Sequence, residues 1–109
     1  MGNYSVELLP AAYDDLDEIF DYILLDSPIT ARKTLDHIIN SLRRLEDFPY
    51  SGVRVTDKSL RHFSIRMVII EPYVAFYRFI NNKVYVYRIL HGARDYVNLI
   101  KGQPLTFSD

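Results

Sequence analysis

The chain has 109 residues, no cysteine and a formal net charge of −1. This length fits one domain with a modest core, and the lack of cysteine excludes a disulfide framework, a thiolate metal site and a cysteine nucleophile. No apolar run approaches the roughly 20 residues that span a bilayer, and no signal-peptide pattern opens the chain, so we expect a cytoplasmic protein with no membrane partner.

The charge is divided unequally along the chain. Residues 1–50 carry ten acids against four bases, hence −6, whereas residues 51–101 carry three acids against nine bases, hence +6. A basic surface attracts phosphate and an acidic surface repels it, so the second half is expected to face any nucleic acid. The alternative is that the two halves neutralise each other within the monomer.

The first half predicts a strand and two helices. Residues 4–8 alternate in polarity as an edge strand does, and Pro10 suits the first position of a helix whose apolar stripe runs to Leu24. Ser27 and Pro28 resemble an N-cap and a helix-starting proline for a second stripe that ends before Pro49. The short connection favours an antiparallel hairpin. One face of the first helix is acidic, which indicates a solvated face or, alternatively, docking of a basic partner: Asp14, Asp17, Glu18 and Asp21.

The second half predicts a sheet. Residues 60–70, 73–80 and 83–90 are rich in Val, Ile, Phe and Tyr, and the two asparagines at 81–82 suit a two-residue hairpin turn. The order β-α-α-β-β-β indicates an α+β fold, with the N-terminal helical hairpin packed on one face of a mostly antiparallel sheet and the other face open. We expect one domain over residues 1–101 and a loose tail over 102–109.

Arginines and tyrosines on the open face suggest phosphate binding and base stacking. The alternative for the tyrosines is ordinary sheet packing. The densest polar run is the segment 91–95, which places His91, Arg94 and Asp95 at a strand end. The arginines on or beside predicted strands are Arg61, Arg66, Arg78, Arg88 and Arg94; the tyrosines are Tyr73, Tyr77, Tyr85, Tyr87 and Tyr96.

Cleavage of RNA by attack of its 2′-hydroxyl requires a proton acceptor, a proton donor and cations around the phosphate. His91 suits proton transfer near neutral pH, while Arg61, Arg66 and Arg94 suit phosphate stabilisation. The alternative for each of these residues, considered singly, is a structural role. In that interpretation His91 stabilises the strand end, and Asp95 pairs with Arg94 or caps a turn. The three histidines are too dispersed for a metal site, and no Gly-rich phosphate loop is present, so no metal or other cofactor is expected.

Five segments form a series that covers nearly the whole chain: LLPAAYDDLDEIFDYI, LRRLEDFPYSG, LRHFSI, VAFYRF and YRILHGARD. Together they resemble the RelE/ParE superfamily of bacterial toxins from type II toxin–antitoxin modules. The resemblance implies a small α+β toxin. It also implies a cognate antitoxin that wraps the toxin, covers its active or target-binding groove and often represses the shared operon, so that operator DNA is contacted through the antitoxin.

Members that resemble RelE cleave messenger RNA on the ribosome, whereas members that resemble ParE inhibit DNA gyrase without a nuclease centre. The RelE-like pattern has an arginine where this chain has Val74, and lysines where it has Ile65 and Met67. It also has a late tyrosine where this chain has Ile100. Only Arg94 matches. If the chain is a ribonuclease, Arg66 and Tyr96, which lie near those positions, would have to take the roles of the missing lysines and tyrosine.

The resemblance therefore favours ParE-like inhibition of gyrase over RelE-like cleavage of messenger RNA, and a third alternative is an inactive relative that only binds an antitoxin. In the favoured case Arg61, His91 and Arg94 anchor the target. We further expect the antitoxin to bind by β-strand addition or as an amphipathic helix along the two-helix face, with its acidic residues over Arg61, Arg88 and Arg94.

Overall fold

Two helices pack against one face of a five-stranded sheet in the computed structural model, which describes residues 3–92 and 95–102. The strands lie in the order β1-β5-β4-β3-β2, with β1 parallel to β5 and every other pair antiparallel. The predicted α+β class is confirmed. The elements are β1 Ser5–Leu8, α1 Pro10–Leu24, α2 Pro28–Arg43, β2 Val53–Arg54, β3 Arg66–Ile70, β4 Tyr73–Ile80, β5 Lys83–His91 and α3 Tyr96–Lys101.

The local signals for the helical hairpin are confirmed. Pro10 and Pro28 each occupy the start of a helix, where the missing amide hydrogen has no intrahelical partner to lose. Ser27 Oγ accepts a hydrogen bond from the Thr30 amide at 3.2 Å and so caps α2. No helix in the described part of the chain is long and apolar enough to cross a membrane.

The predicted turn between the two longest strands is also confirmed. Asn81 and Asn82 have φ angles of 53° and 62°, which asparagine tolerates better than most residues. The turn joins β4 to β5, whose pairing extends from Ile80 and Lys83 to Tyr73 and His91 with one irregularity after Phe76. This hairpin is the centre of the sheet.

Three parts of the second half differ from the sequence-based prediction. The strand expected over residues 60–70 begins only at Arg66, because residues 61–63 form a 3-10 turn that ends at Ser64 with a left-handed φ of 54°. The strand β2 and the helix α3 were not predicted. They have two and six residues, too short to show a clear periodicity. The predicted tail lies outside the described residues from position 103 onward.

The face opposite α1 and α2 is covered, so the prediction of an open sheet face is wrong. One core lies between the helices and the sheet, and it includes Leu16, Ile38 and Tyr77. A second core lies on the other side, where Leu60 and Ile100 from flanking segments are fully buried. The sheet side chains in this second core are Val74, Phe76, Tyr87 and Leu90. Residues 55–65 and α3 thus form a third layer.

Buried tyrosines make the stability of the fold sensitive to alkaline pH. Burial raises the pKa of Tyr87 and of Tyr77 above the ordinary value of 10.0. A group whose pKa is higher in the folded state contributes stability below its unfolded pKa and loses it as pH rises through the folded pKa. We therefore expect denaturant midpoints to be constant up to about pH 10 and to fall above it. Tyr87→Phe should flatten that fall, and an unchanged pH profile would contradict this assignment.

Candidate functional site

His91 is the sequence-predicted site residue that lies in a groove. It ends β5, its side chain is exposed, and its ring meets the ring of Tyr73 edge-on with centroids 5.6 Å apart. A groove of about 590 Å³ runs between this strand end and α1. We call it the α1 groove, and it is lined by Glu18, Ile19, Asp21, Tyr22, Ile23, Leu25, Tyr73 and His91.

The chemistry of the α1 groove is apolar with an acidic rim. Ile19 and Tyr73 pack in the helix-side core, Ile23 also lines the groove, and the exposed residues Glu18 and Asp21 supply its carboxylates. Acids repel phosphate, so this side of the molecule does not favour a nucleic acid. It suits an apolar ligand that carries positive charge.

Arg88 is held inside the fold by Asp15 of α1. Its Nε and Nη2 each donate to the Asp15 carboxylate at 2.7 Å, and the amide of Ile89 donates to the same carboxylate at 2.9 Å. These hydrogen bonds raise the pKa of the Arg88 guanidinium above its ordinary value. Arg88 therefore uses its two-point binding geometry within the monomer, and its predicted contact with an antitoxin stays a prediction.

Arg66 is likewise engaged within the chain. Its Nη1 donates to the carbonyl of Gly52 at 2.8 Å and to that of Tyr50 at 3.3 Å, and the guanidinium lies 5.1 Å from the centre of the Tyr50 ring. These contacts tie the loop after α2 to the first residue of β3. The predicted role of Arg66 in phosphate binding stays a prediction.

Arg61 and Tyr96 lie with the layer on the opposite side of the sheet from His91. Arg61 is exposed on the 3-10 turn, while Tyr96 is stacked on Phe76 of the second core with centroids 4.8 Å apart and an angle of 9°. Tyr73, the ring partner of His91, belongs instead to the helix-side core. The layer that carries Arg61 presents further exposed cations at Lys58 and Lys101.

The cations of this layer are accompanied by two carboxylates. Two hydrogen bonds from Ser59 lower the pKa of Asp57, and the nearby charge of Lys101 contributes in the same direction. Asp95 accepts a hydrogen bond from the Asn98 side chain at 2.9 Å at the start of α3. Arg94, the residue favoured most by the sequence, lies outside the described residues, so its predicted pairing with Asp95 stays a prediction.

The residues expected for RNA cleavage are not brought together by the described part of the chain. Arg66 pairs with Tyr77 in β4 and His91 pairs with Tyr73, four residues earlier. Arg66 and His91 are therefore about 13 Å apart along the strand direction, at about 3.3 Å per residue. They also lie on two different strands. Tyr96 is on the other face. In the described ranges 3–92 and 95–102, no three His, Asp or Glu side chains are placed to hold a metal ion together.

Asp15 positions α1 on the sheet, although no sequence pattern pointed to it. The predicted acidic stripe consists of neighbouring exposed residues, whereas Asp15 is buried beside Leu16. The available signal was its position, because Asp15 lies three residues after Ala12 and four before Ile19, on the apolar stripe. A carboxylate on a core-facing stripe requires a cation or several hydrogen-bond donors.

The architecture agrees with comparisons to known proteins. The model of the family described as "ParE toxin of type II toxin-antitoxin system, parDE" matches residues 6–96. A solved structure titled "Chromosomal ParDE TA system from P. aeruginosa" aligns with a TM-score of 0.68 over 83% of this chain and 97% of that chain, at 24% identity, and supports the fold. No curated protein matches the chain. Because the family model spans most of its length, this chain belongs to the ParE toxin family of type II toxin–antitoxin systems.

Proposed function

We propose that this type II toxin stops growth by binding DNA gyrase and that it cuts no RNA. Membership of the family makes it the toxin of a type II module with a cognate antitoxin. The observation that carries the proposal is the separation of His91, Arg66 and Tyr96, which face different surroundings on two sides of the sheet. General acid–base catalysis requires such groups within hydrogen-bond reach of one substrate.

The target-binding surface proposed here is the exposed basic layer. Its exposed cations are Lys58, Arg61 and Lys101, and Lys101 ends α3. His91, at the end of β5, lies on the helix side of the sheet, and the roles predicted for His91 and Arg94 in target binding stay predictions. Such a basic surface can bind an acidic protein or a protein bound to DNA, and the site of action would then be the cytoplasm.

The alternative of messenger cleavage is tested in the same experiment. Purified toxin is added to gyrase and relaxed plasmid, and in parallel it is added to ribosomes that carry messenger RNA. We expect supercoiling to be inhibited and the messenger to stay intact. Cleaved messenger with normal supercoiling would make the gyrase proposal wrong, and no effect in either assay, together with harmless expression in cells, would support an inactive antitoxin-binding relative.

A charge reversal on the basic layer tests the proposed surface. Arg61→Glu should weaken gyrase inhibition by roughly 10-fold, because repulsion replaces attraction at the target. Arg32→Glu is the matched control, since the Arg32 side chain is 74% exposed on α2, away from this layer. Equal loss in both variants, or no loss in either, would contradict the assignment of the basic layer to the target.

A further inference from the structure

We infer that the target docks on an apolar patch at the β2 edge of the sheet, through an acidic segment that also carries apolar side chains. The patch consists of Val53, Met67 and Ile69, and we call it the edge patch. The inference rests on the proposed function, because it takes the basic layer as the target-binding surface and adds an apolar centre to that surface.

The three side chains of the edge patch lie on the same face of the sheet. Val53 pairs with Met67, and directly paired residues of antiparallel strands point to one face with their Cβ atoms about 5 Å apart. Ile69 is two residues beyond Met67 in β3 and therefore points the same way. Met67 packs against the second core, so this face is the one that carries the basic layer.

The fold leaves two of these side chains in solvent. Val53 is 62% exposed and Ile69 is 61% exposed, although Val74, the partner of Ile69 in β4, is buried in the second core. β2 has two residues and β3 has five, so in the described part of the chain the second half of β3 has no strand on its outer side. Exposed β-branched residues at the edge of a sheet favour association, and a contiguous apolar patch is typical of an interaction surface.

The charge around the edge patch indicates the kind of partner. The exposed cations of the edge and of the basic layer are Arg54, Lys58, Arg61 and Lys101. The acids of residues 51–101 are Asp57, Glu71 and Asp95, and Asp57 already accepts hydrogen bonds from Ser59. A second copy docked on the same patch would bring like cations together, whereas an acidic segment would be attracted.

The end of α3 connects the basic layer to the edge patch. The charge of Lys101 contributes to lowering the pKa of Asp57, so the last turn of α3 lies close to the chain that leaves β2. The apolar patch and the cations therefore belong to one side of the molecule.

An apolar centre also supplies what the cations lack. Exposed ion pairs contribute little to binding, because water and salt screen them. A specific protein interface has instead a well-packed apolar centre, where a few residues provide most of the binding energy, surrounded by a polar rim. The edge patch has the position of such a centre, and the cations of the basic layer have the position of the rim.

The test measures inhibition of gyrase supercoiling by purified toxin without antitoxin, over a range of toxin concentrations. The paired change Val53→Thr and Ile69→Thr removes apolar atoms but keeps β-branched residues on the strands, so thermal melting should show a folded variant. It should raise the concentration for half-inhibition about 10-fold. The loss should be as large at high salt as at low salt, whereas the loss in Arg61→Glu should shrink at high salt.

A control and a second variant make the result specific. Ile29→Thr is the matched control, because Ile29 is 71% exposed at the start of α2 and undergoes the same chemical change as Ile69. It should alter half-inhibition less than about 3-fold. Ile69→Glu places an acid against the acidic segment and should weaken inhibition about 30-fold.

Three results would overturn the inference. The first is unchanged half-inhibition in the paired variant and in Ile69→Glu. The second is self-association of the toxin that these changes abolish while inhibition is retained. The third is a loss of antitoxin affinity with full inhibition of gyrase, which would assign the edge patch to the antitoxin.

Growth arrest on expression without antitoxin separates this inference from the proposed function. If the wild-type toxin arrests growth but does not inhibit gyrase, the proposed function is wrong. Loss of arrest in the paired variant, with arrest retained in Ile29→Thr, would then still support the edge patch as the contact with another target, and arrest in both variants would overturn it. A wild-type toxin that neither arrests growth nor inhibits gyrase would make both wrong.

Discussion

Asp15→Ala is expected to destabilise the protein by about 3–5 kcal/mol, the usual cost of removing one member of a buried ion pair. The Asp15 and Arg88 side chains are only 9% and 18% exposed, and the carboxylate accepts two bonds from the guanidinium and one from the Ile89 amide. The substitution leaves all of these donors without their acceptor. A loss of this size consumes much of the roughly 5–15 kcal/mol that stabilises a typical domain. It should appear as a large fall in the denaturant midpoint.

A surface pair provides the control for this prediction. Arg32 Nε and Asp36 Oδ1 are 3.5 Å apart on exposed side chains, so Asp36→Ala should cost no more than about 0.5 kcal/mol. The paired replacement Asp15→Leu with Arg88→Met should lose less than the sum of the single changes, because neither charge is then left alone. Equal stability of Asp15→Ala and Asp36→Ala would contradict a structural role for the buried pair.

The predictable part of this fold is its first half and its central hairpin, where the signals are local. Ser27 and Pro28 determine the start of α2 through neighbouring backbone groups, and Asn81 and Asn82 determine the turn through their own φ angles. No distant residue is needed for either outcome. The same reasoning fails over residues 60–65, which are predicted as the start of a strand but fold instead as part of the layer that covers the sheet.

Arg66 and Arg88 show which part of the candidate site could not be predicted from the sequence. Both are arginines that can bind an anion, but their partners within the chain are far away in the sequence. Arg88 is engaged by Asp15, 73 residues earlier, and Arg66 by Gly52, 14 residues earlier. Composition and spacing identify an arginine that can bind an anion, whereas only the packing of α1 and of the loop after α2 shows which anion or carbonyl it binds.

That loop also explains why Gly52 is needed at its position. A Cβ atom there would lie 2.5 Å from Tyr77 Oη and 2.7 Å from the carbonyl oxygen of Met67, both closer than atoms can pack. The same hydroxyl accepts from the Gly52 amide and donates to the Pro49 carbonyl, each at 2.9 Å. Strands β3 and β4 therefore approach the loop so closely that no room remains for a Cβ atom, and this explains the glycine.

Gly52→Ala should accordingly destabilise the protein by about 3 kcal/mol or more, from overpacking together with the loss of these hydrogen bonds. Tyr77→Phe in the same chain should not restore stability, since the Met67 carbonyl and the Tyr77 ring remain in the way. Gly102→Ala is the control, because its φ of −72° suits alanine and its nearest neighbour would be 3.6 Å away. Thermal and denaturant unfolding of the three variants provide the measurement. Wild-type stability in Gly52→Ala would mean that the loop can move away from Tyr77, and the contacts from Arg66 would then not hold it in place.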